Sequence, residues 1–434
     1  MTDLDDDLVE GDLVEVVVGP PAHGGHCVAR IGGPHGRVVF VRHALPGERV
    51  TVEVTELHRG YLRGDAVEIH EASPDRVTPP CPYAHPGGCG GCDLQHVADH
   101  AQLDWKAAVV REQLARPGGL SATQIDELSV RVQPLPGGTL GWRSRVRYAV
   151  DAAGRPGLLQ HRSHQVVPID RCRIAHPLLQ ELDVTRRLWP SAAAIEVVAS
   201  TGGDVSILAH PAGTGAVSDD PRDFSGALDG PVLDGPVLDG PVLDGPAEVL
   251  ELAAGRRWHV PVAGFWQVHP AAADTLVTAV LGLLEPAEGE TAWDLYGGAG
   301  LFAAAVAERT RARVTVVESS PVGVAAARAN LADLAGVEVV SAKVETALTR
   351  RRITGPVDIV VLDPPRTGAG GRVVRGIVAA GPRAVVYVAC DPAALARDVA
   401  TFAEAGWRLA ELRAFDCFPM TQHIECVALL VPGL

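Results

Sequence analysis

The sequence contains no apolar run long enough for a membrane-spanning helix, which needs about eighteen consecutive apolar residues. It also does not begin like a secretory signal, because MTDLDDDLVEGD is acidic where a signal peptide is basic and then apolar. Its eight cysteines are too few for a disulfide scaffold in a chain of 434 residues. We therefore expect a soluble, monomeric, cytoplasmic protein without a membrane partner.

A strong basic charge is missing too, since the net charge is -15. This value argues at first against a nucleic-acid partner, which favours a basic surface. The acidic residues are concentrated, however: residues 1–12 carry six acids and no base, and residues 219–245 carry seven acids and one arginine. About -3 is left for the rest of the chain, which is compatible with a local basic groove.

The pattern of apolar residues predicts three parts. Short alternating runs broken by glycine over residues 13–70 indicate a small β-barrel within residues 1–76. Residues 77–262 form an α+β central part with a repetitive insertion at about 219–246, LDGPV repeated, which we expect to be an exposed and poorly ordered loop. Residues 263–434 alternate apolar strands with alanine-rich helices, the rhythm of a doubly wound, Rossmann-like α/β domain.

The segment DLYGGAGLFAAAVAE ends the first of these strands and opens a helix. Gly298 and Gly300 allow a tight turn and a close approach to a ligand. Glu318 closes the next strand, where a carboxylate can accept hydrogen bonds from both ribose hydroxyls. Asp294 and Asp363 also end strands, and carboxylates suit the cationic sulfonium and amino groups of S-adenosylmethionine better than a pyrophosphate. The pattern therefore predicts an S-adenosylmethionine-dependent enzyme.

A cysteine after a strand of such a fold indicates a specific chemistry. Addition of the Cys390 thiolate to C6 of a pyrimidine makes C5 nucleophilic enough to take a methyl group. A base must then remove the C5 proton so that the thiolate can leave. Glu425 is the candidate base, because it stands in an apolar strand where a carboxylate is costly without a role.

These segments resemble the RNA uracil-5 methyltransferase family, whose members often carry a TRAM domain and an iron–sulfur cluster. The resemblance rests on DPPRTG, on VVYVAC sixteen residues later and on FDCFPMTQHIE. It implies a transferase that forms 5-methyluridine in structured RNA, ribosomal or transfer, and a TRAM-like, RNA-binding barrel. It also implies Cys390 as nucleophile, Glu425 as base and Phe265 near the target base. The implied ligands of S-adenosylmethionine are Gln267, Tyr296, Glu318 and Asp363.

The chain departs from the family pattern around its cysteine. The family usually has Ser-Cys-Asn followed by a threonine, where this chain has Ala389, Cys390, Asp391 and Ala394. An aspartate beside the thiol tends to raise the pKa of the thiol unless another group compensates. Two alternatives therefore stay open, an RNA-binding or RNA-folding protein with impaired catalysis and an RNA 5-methylcytosine methyltransferase. An amino-group methyltransferase is a third, although it typically has an aromatic residue where this chain has Arg366.

Cys81, Cys89 and Cys92 lie close together in CPYAHPGGCGGC, and Cys172 is the natural fourth member of the set. Four thiolates suit either zinc or an iron–sulfur cluster, and the family resemblance favours a [4Fe–4S] cluster. Arg143, Arg145 and Arg147 alternate in the sequence, so they leave one face of a strand. This stripe predicts either contacts to RNA phosphates or a solvated strand face.

Overall fold

The computed structural model describes residues 8–211 and 242–433. The first part is the predicted barrel, closed in the strand order β1-β2-β3-β5-β4. Valine-rich alternation forms it, because Val39, Val41, Val50 and Val52 point inward and are fully buried. Its strands are β1 Leu13–Ala22, β2 His26–Arg30, β3 Val38–Arg42, β4 Arg49–Leu57 and β5 Tyr61–Glu71.

The central part contains a six-stranded sheet in the order β12-β11-β10-β7-β8-β9, followed by a hairpin of β13 and β14. Its helices are α1 Asp99–Ala115, α2 Ala122–Glu127 and α3 Pro177–Gln180, with a 3-10 turn at Asp183–Arg186. Its strands are β6 Val132–Pro134, β7 Arg145–Val150, β8 Pro156–Leu159, β9 Val166–Pro168, β10 Ala192–Ala199, β11 Val205–Pro211, β12 Val242–Asp244, β13 Glu248–Ala253 and β14 Arg256–Pro261.

The repetitive insertion predicted at about 219–246 falls outside the described residues as far as residue 241. Its last repeat supplies β12, which pairs with β11 at the edge of the six-stranded sheet. An edge position suits this short strand, because Pro246 follows it by two residues and cannot donate a ladder hydrogen bond in a central strand.

The last part is the predicted doubly wound domain. Its sheet runs β17-β16-β15-β18-β19-β21-β20-β6, with β15 to β19 parallel and β21 antiparallel to both of its neighbours. The strands are β15 Ala292–Leu295, β16 Val314–Glu318, β17 Val337–Ser341, β18 Ile359–Leu362, β19 Ala384–Ala389, β20 Trp407–Asp416 and β21 Glu425–Pro432. The helices are α4 Ala272–Leu284, α5 Leu301–Thr310, α6 Pro321–Asn330, α7 Val344–Thr349, α8 Gly371–Ala380 and α9 Pro392–Glu404.

The central part also contributes to this C-terminal sheet. Strand β6 pairs in parallel with β20, and helix α1 packs on α9. Lys106 of α1 is fully buried, and its Nζ donates to Asp416 Oδ1 at 2.6 Å. Removing either partner of such a pair would leave a buried charge uncompensated. The predicted boundary between residues 262 and 263 stays a prediction. Strand β6 and helix α1 precede this boundary in the chain, but they pack with elements that follow it.

The prediction that the three arginines form an exposed stripe is wrong for Arg143 and Arg145. Arg143 and Arg145 are only 4% and 7% exposed, and β7 begins at Arg145. Arg145 Nη1 donates to the carbonyls of Val262 and Gly264 at 3.1 and 2.7 Å. The segment after β14 therefore covers this face of the strand, and only Arg147 remains partly exposed. Alternation predicts a shared face but not whether another segment covers it.

Along the described ranges, no helix combines the length and the apolar character that crossing a membrane requires.

Candidate active site

The predicted site residues meet at one edge of the C-terminal sheet. Asp294 and Glu318 lie at the ends of β15 and β16, and Asp363 and Cys390 follow β18 and β19 directly. The carboxyl ends of parallel strands share an edge, so these four side chains are brought to the same place. The chain passes from β15 outward to β17 and then returns to β18, which makes this edge the topological switch point.

Glu425 reaches the same edge from the opposite direction. It is the first residue of β21, which runs antiparallel to β19 with Ala389 paired to Cys426. One step beyond this register, Cys390 lies opposite Glu425. Glu425 is only 3% exposed, whereas Cys390 is half-buried. The two predicted catalytic residues therefore face each other at the ends of neighbouring strands.

The carboxyl groups at this edge affect one another. Burial raises the pKa of Asp294 to about 7, against the lowering effect of a hydrogen bond from the Ala303 N–H, and the Glu318 charge raises it further. Burial and the charge of Asp294 raise the pKa of Asp363, and burial and Asp363 raise that of Glu425 well above its usual range, with Arg366 opposing. The edge thus holds several acids that resist simultaneous ionisation.

The turn after β15 is shaped for a ligand. Tyr296, Gly298 and Gly300 have positive φ angles of 63°, 52° and 94°. A Cβ at Gly298 would meet nothing within 4 Å, so this glycine faces open space, whereas a Cβ at Gly297 would approach Val316 Cγ1 to 2.4 Å. The turn therefore needs glycine at position 297 for close packing and at position 298 for its backbone conformation.

Two carboxylates hold this turn, and both retain hydrogen-bond acceptor positions for a ligand. Glu318 accepts hydrogen bonds from the N–H groups of Gly298, Ser319 and Ser320 at 2.6 to 2.9 Å. Asp294 Oδ2 accepts from the Ala303 N–H at 2.8 Å, while its buried Oδ1 has no hydrogen-bond partner among the described residues. An ionised carboxyl group offers about four acceptor positions, so both side chains can still bind a donor or a cation.

The segment FWQVHP borders the site after β14. Gln267 is 8% exposed, and His269 stacks on Trp142 with the ring centroids 5.8 Å apart. Phe265 is 67% exposed, an unusual position for a phenylalanine. Tyr296 is partly buried, and burial raises the pKa of its phenol. The cofactor-binding roles of Gln267 and Tyr296 and the place of Phe265 near the target base stay predictions.

The residue after the candidate nucleophile is not isolated. Asp391 caps α9, because Oδ1 accepts from the Ala394 N–H at 2.7 Å, and Oδ2 lies 2.9 Å from His23 Nε2. Burial alone would raise the pKa of Asp391, but the bond and charge of His23, the Ala394 N–H and the Arg366 charge together lower it. Asp391 is therefore an ionised, partnered side chain.

Sequence reasoning missed two residues that position the site. One is His23, which belongs to the barrel. The other is Asp398 of α9, whose carboxylate accepts from the N–H groups of Ala369 and Gly370 at 2.8 and 3.1 Å and from the Tyr387 hydroxyl at 2.7 Å. Asp398 thereby holds the backbone that directly follows the DPPRTG segment, which carries Asp363. The signal in the sequence was the position of Asp398 among Leu395, Val399 and Phe402, which lie at helical spacing on the apolar face of α9.

Cys81, Cys89, Cys92 and Cys172 line a single cavity, together with Arg143. Burial raises the pKa of each of the four thiols, and their charges act on one another. In the part of the chain that the structure describes, no three acidic, histidine or cysteine side chains are grouped tightly enough to hold a metal ion.

Comparisons with known proteins place this site in context. Residues 8–67 match the TRAM domain family, and residues 255–432 match the tRNA (Uracil-5-)-methyltransferase family. An uncharacterized RNA methyltransferase of Streptomyces avermitilis is 48% identical, over 98% of this chain and 99% of the relative. The 23S rRNA (uracil(1939)-C(5))-methyltransferase RlmD of Chromohalobacter salexigens is 32% identical, over 99% and 90%.

Among solved structures, the fold resembles that of the Pyrococcus abyssi tRNA (uracil-54, C5)-methyltransferase in complex with S-adenosyl-L-homocysteine. The TM-score is 0.67 at 22% identity, over 96% of this chain and 99% of that one. This likeness confirms the predicted combination of a barrel with a Rossmann-like domain.

The raised pKa of Asp294 predicts a pH-dependent effect of Asp294→Asn. The folded protein binds this proton more tightly than the unfolded chain, so the contribution of Asp294 to stability is full below about pH 4 and is lost as the pH rises to about 7. The difference in free energy of unfolding, variant minus wild type, should therefore increase by up to about 1.4 kcal/mol per pH unit in this window. Denaturation with urea at several pH values measures it.

Asp358→Asn is the control, because hydrogen bonds from Thr291 lower the pKa of Asp358 and its effect has the opposite sign. A difference for Asp294→Asn that stays constant with pH would contradict the electrostatic description of this edge.

Proposed function

The chain belongs to the RNA (uracil-5-)-methyltransferase family, and we propose that it forms 5-methyluridine in a structured RNA, with Cys390 as nucleophile and Glu425 as base. The observation that carries the proposal is the register of β19 and β21, which sets Cys390 opposite Glu425 at the edge where Asp294, Glu318 and Asp363 also lie. The proposed nucleophile, the proposed base and the carboxylates for the cofactor then all lie at the same edge of the sheet.

S-adenosylmethionine supplies the methyl group as an electrophilic sulfonium. The residues present fit this cofactor, because Asp294 Oδ1 is buried with no hydrogen-bond partner within residues 8–211 and 242–433, and Gly298 faces open space. We assign its binding to Gln267, Tyr296, Glu318 and Asp363, with Asp294 beside them. A positive charge at this edge would also offset the mutual repulsion of the acids.

We assign the steps of the reaction to the two side chains at the ends of β19 and β21. The Cys390 thiolate forms a bond to uracil C6, and the electron pair released to C5 forms a bond to the methyl carbon. The bond between this carbon and the sulfonium sulfur breaks, and its electron pair stays on the sulfur, which leaves as the thioether S-adenosylhomocysteine. Glu425 then accepts the C5 proton, the C5=C6 double bond re-forms, and the thiolate leaves with the electron pair of the C–S bond. A carboxyl group with a raised pKa is a stronger base once ionised, which suits Glu425 to this step.

The RNA substrate is proposed from the relatives. The Chromohalobacter enzyme is named for its action on 23S rRNA, and it is 32% identical to this chain over the aligned residues. The tRNA enzyme from Pyrococcus shares the fold at 22% identity. Ribosomal RNA is therefore the first candidate and transfer RNA the second. We assign RNA binding to the TRAM barrel and contact with the target base to the exposed ring of Phe265.

We further propose that Cys81, Cys89, Cys92 and Cys172 hold a [4Fe–4S] cluster. Four thiols and the buried Arg143 line one cavity, and four is the ligand number of such a cluster. Among the described residues these thiols are not grouped tightly enough to hold a single metal ion, so the proposal rests on their number and their shared cavity. The methyl transfer involves no net electron transfer, so this site would serve structure or RNA positioning.

Cys390→Ala should abolish methylation, because no other group at this position can add to C6. Transfer of labelled methyl from S-adenosylmethionine to ribosomal or transfer RNA measures it, and Cys426→Ala, which removes a fully buried thiol from β21, is the control. Unimpaired methylation by Cys390→Ala would overturn the proposed nucleophile. RNA and cofactor binding by the wild type with no methylation of any RNA would favour an RNA-binding protein without catalysis.

Glu425→Gln should trap the enzyme on its RNA, since the amide cannot accept the C5 proton and the thiolate cannot leave. The expected product is a covalent protein–RNA adduct that survives denaturing electrophoresis and disappears when Cys390→Ala is added. Normal turnover of Glu425→Gln without an adduct would remove the assigned base.

Protein purified without oxygen should contain about four iron atoms per chain. Cys172→Ser should lose most of this iron, whereas Cys27→Ser, which changes a buried thiol of the barrel core, should keep it. Metal analysis of both variants tests the assignment. One tightly bound zinc ion in place of iron would contradict it.

A further inference from the structure

A histidine of the barrel is hydrogen-bonded to the residue that follows the candidate nucleophile. His23 Nε2 lies 2.9 Å from Asp391 Oδ2, although the two residues are 368 positions apart in the chain. We propose that His23 is a positioning residue for catalysis. It offsets the charge of Asp391 and so allows the Cys390 thiol to ionise to the thiolate. This proposal rests on the proposed function and adds the barrel to the active site itself.

The turn that carries His23 is held from two sides. The Gly24 N–H donates to Gln422 Oε1 at 2.9 Å, and Gln422 in turn donates its backbone N–H to Asp93 Oδ2 at 3.1 Å. A Cβ at Gly25 would approach Asp93 Cβ to 2.8 Å, so only glycine permits this packing. The barrel turn therefore fits between the segment before β21 and the segment after Cys92, and this fixes the position of His23.

The charge of Asp391 explains why such a partner is needed. A carboxylate adjacent to Cys390 disfavours the thiolate, and Asp391 is ionised because its pKa is lowered. An Nε2–H of His23 donates to this carboxylate whether the ring is neutral or protonated. The imidazole thereby disperses part of the negative charge beside the thiol, as a second partner in addition to the Ala394 N–H that Asp391 accepts as a helix cap.

Other charged and titratable groups face this pair. Arg366 of the DPPRTG segment acts on Asp391, and its Nη2 lies 3.0 Å from the ring nitrogens of His423. Burial and the neighbouring cations lower the pKa of His423 well below its usual value, so this ring is neutral. Asp93, whose Oδ1 lies 3.7 Å from Arg42 Nη2, faces the turn from the other side. Burial and the charges of Glu425 and Asp391 raise the pKa of the Cys426 thiol in β21.

The test measures the thiol directly, without RNA or cofactor. Alkylation of Cys390 by iodoacetamide is followed by peptide mass spectrometry in the full-length protein from about pH 6 to about pH 10. His23→Ala should raise the pH midpoint of alkylation by about one unit, which slows alkylation about tenfold below the midpoint. In an Asp391→Asn background, His23→Ala should cause no shift, because no carboxylate is left to compensate.

His58→Ala is the matched control, since His58 also belongs to the barrel and also lies 2.9 Å from a carboxylate, that of Glu56. It should leave the midpoint unchanged. Equal midpoints for His23→Ala and the wild type would overturn the proposal, as would an equal shift of the midpoint in the Asp391→Asn background, which would indicate packing in place of charge. Failure of the wild type to methylate RNA would overturn the proposed function but would not affect this readout.

Discussion

The burial of several carboxyl groups at one edge of a parallel sheet is the constraint on which this structure depends. Asp294 and Glu425 are almost fully buried. Besides burial, the charge of Asp294 raises the pKa of Asp363, and the charge of Asp363 raises the pKa of Glu425. Keeping such groups together costs free energy in the protein alone. A bound cation would offset this cost, and Gly298 in the turn after β15 faces open space. The buried acids thus lower the stability of the protein alone, and they favour the binding of a cation at this edge.

The strand ends of the site could be predicted from the sequence because they follow a general rule. Buried apolar runs alternating with helices imply parallel strands, and parallel strands place Asp294, Glu318, Asp363 and Cys390 at one edge. Glu425 could be singled out because an acid in an apolar strand is costly. The antiparallel pairing of β21 with β19, which sets Glu425 opposite Cys390, adds the geometry that the sequence pattern lacks.

Contacts between distant segments could not be predicted. His23 and Asp391 are 368 positions apart in the chain, and nothing in either local pattern indicates that they meet. The same holds for Arg145, whose alternation with Arg143 and Arg147 is typical of a strand face, although the carbonyls of Val262 and Gly264 cover it. Strand β6 is a third case, because three residues from the central part complete a sheet formed mainly by the C-terminal domain. Local periodicity specifies elements, whereas burial depends on what packs against them.

The site that we propose joins the carboxylate edge of the sheet, the loop that carries Cys390 and the barrel turn that carries His23. The most direct test of this account is nucleoside mass spectrometry of ribosomal and transfer RNA after incubation with the protein and S-adenosylmethionine. The account predicts 5-methyluridine as the new nucleoside. Formation of 5-methylcytidine or of a base methylated on an amino group, with no 5-methyluridine, would contradict it.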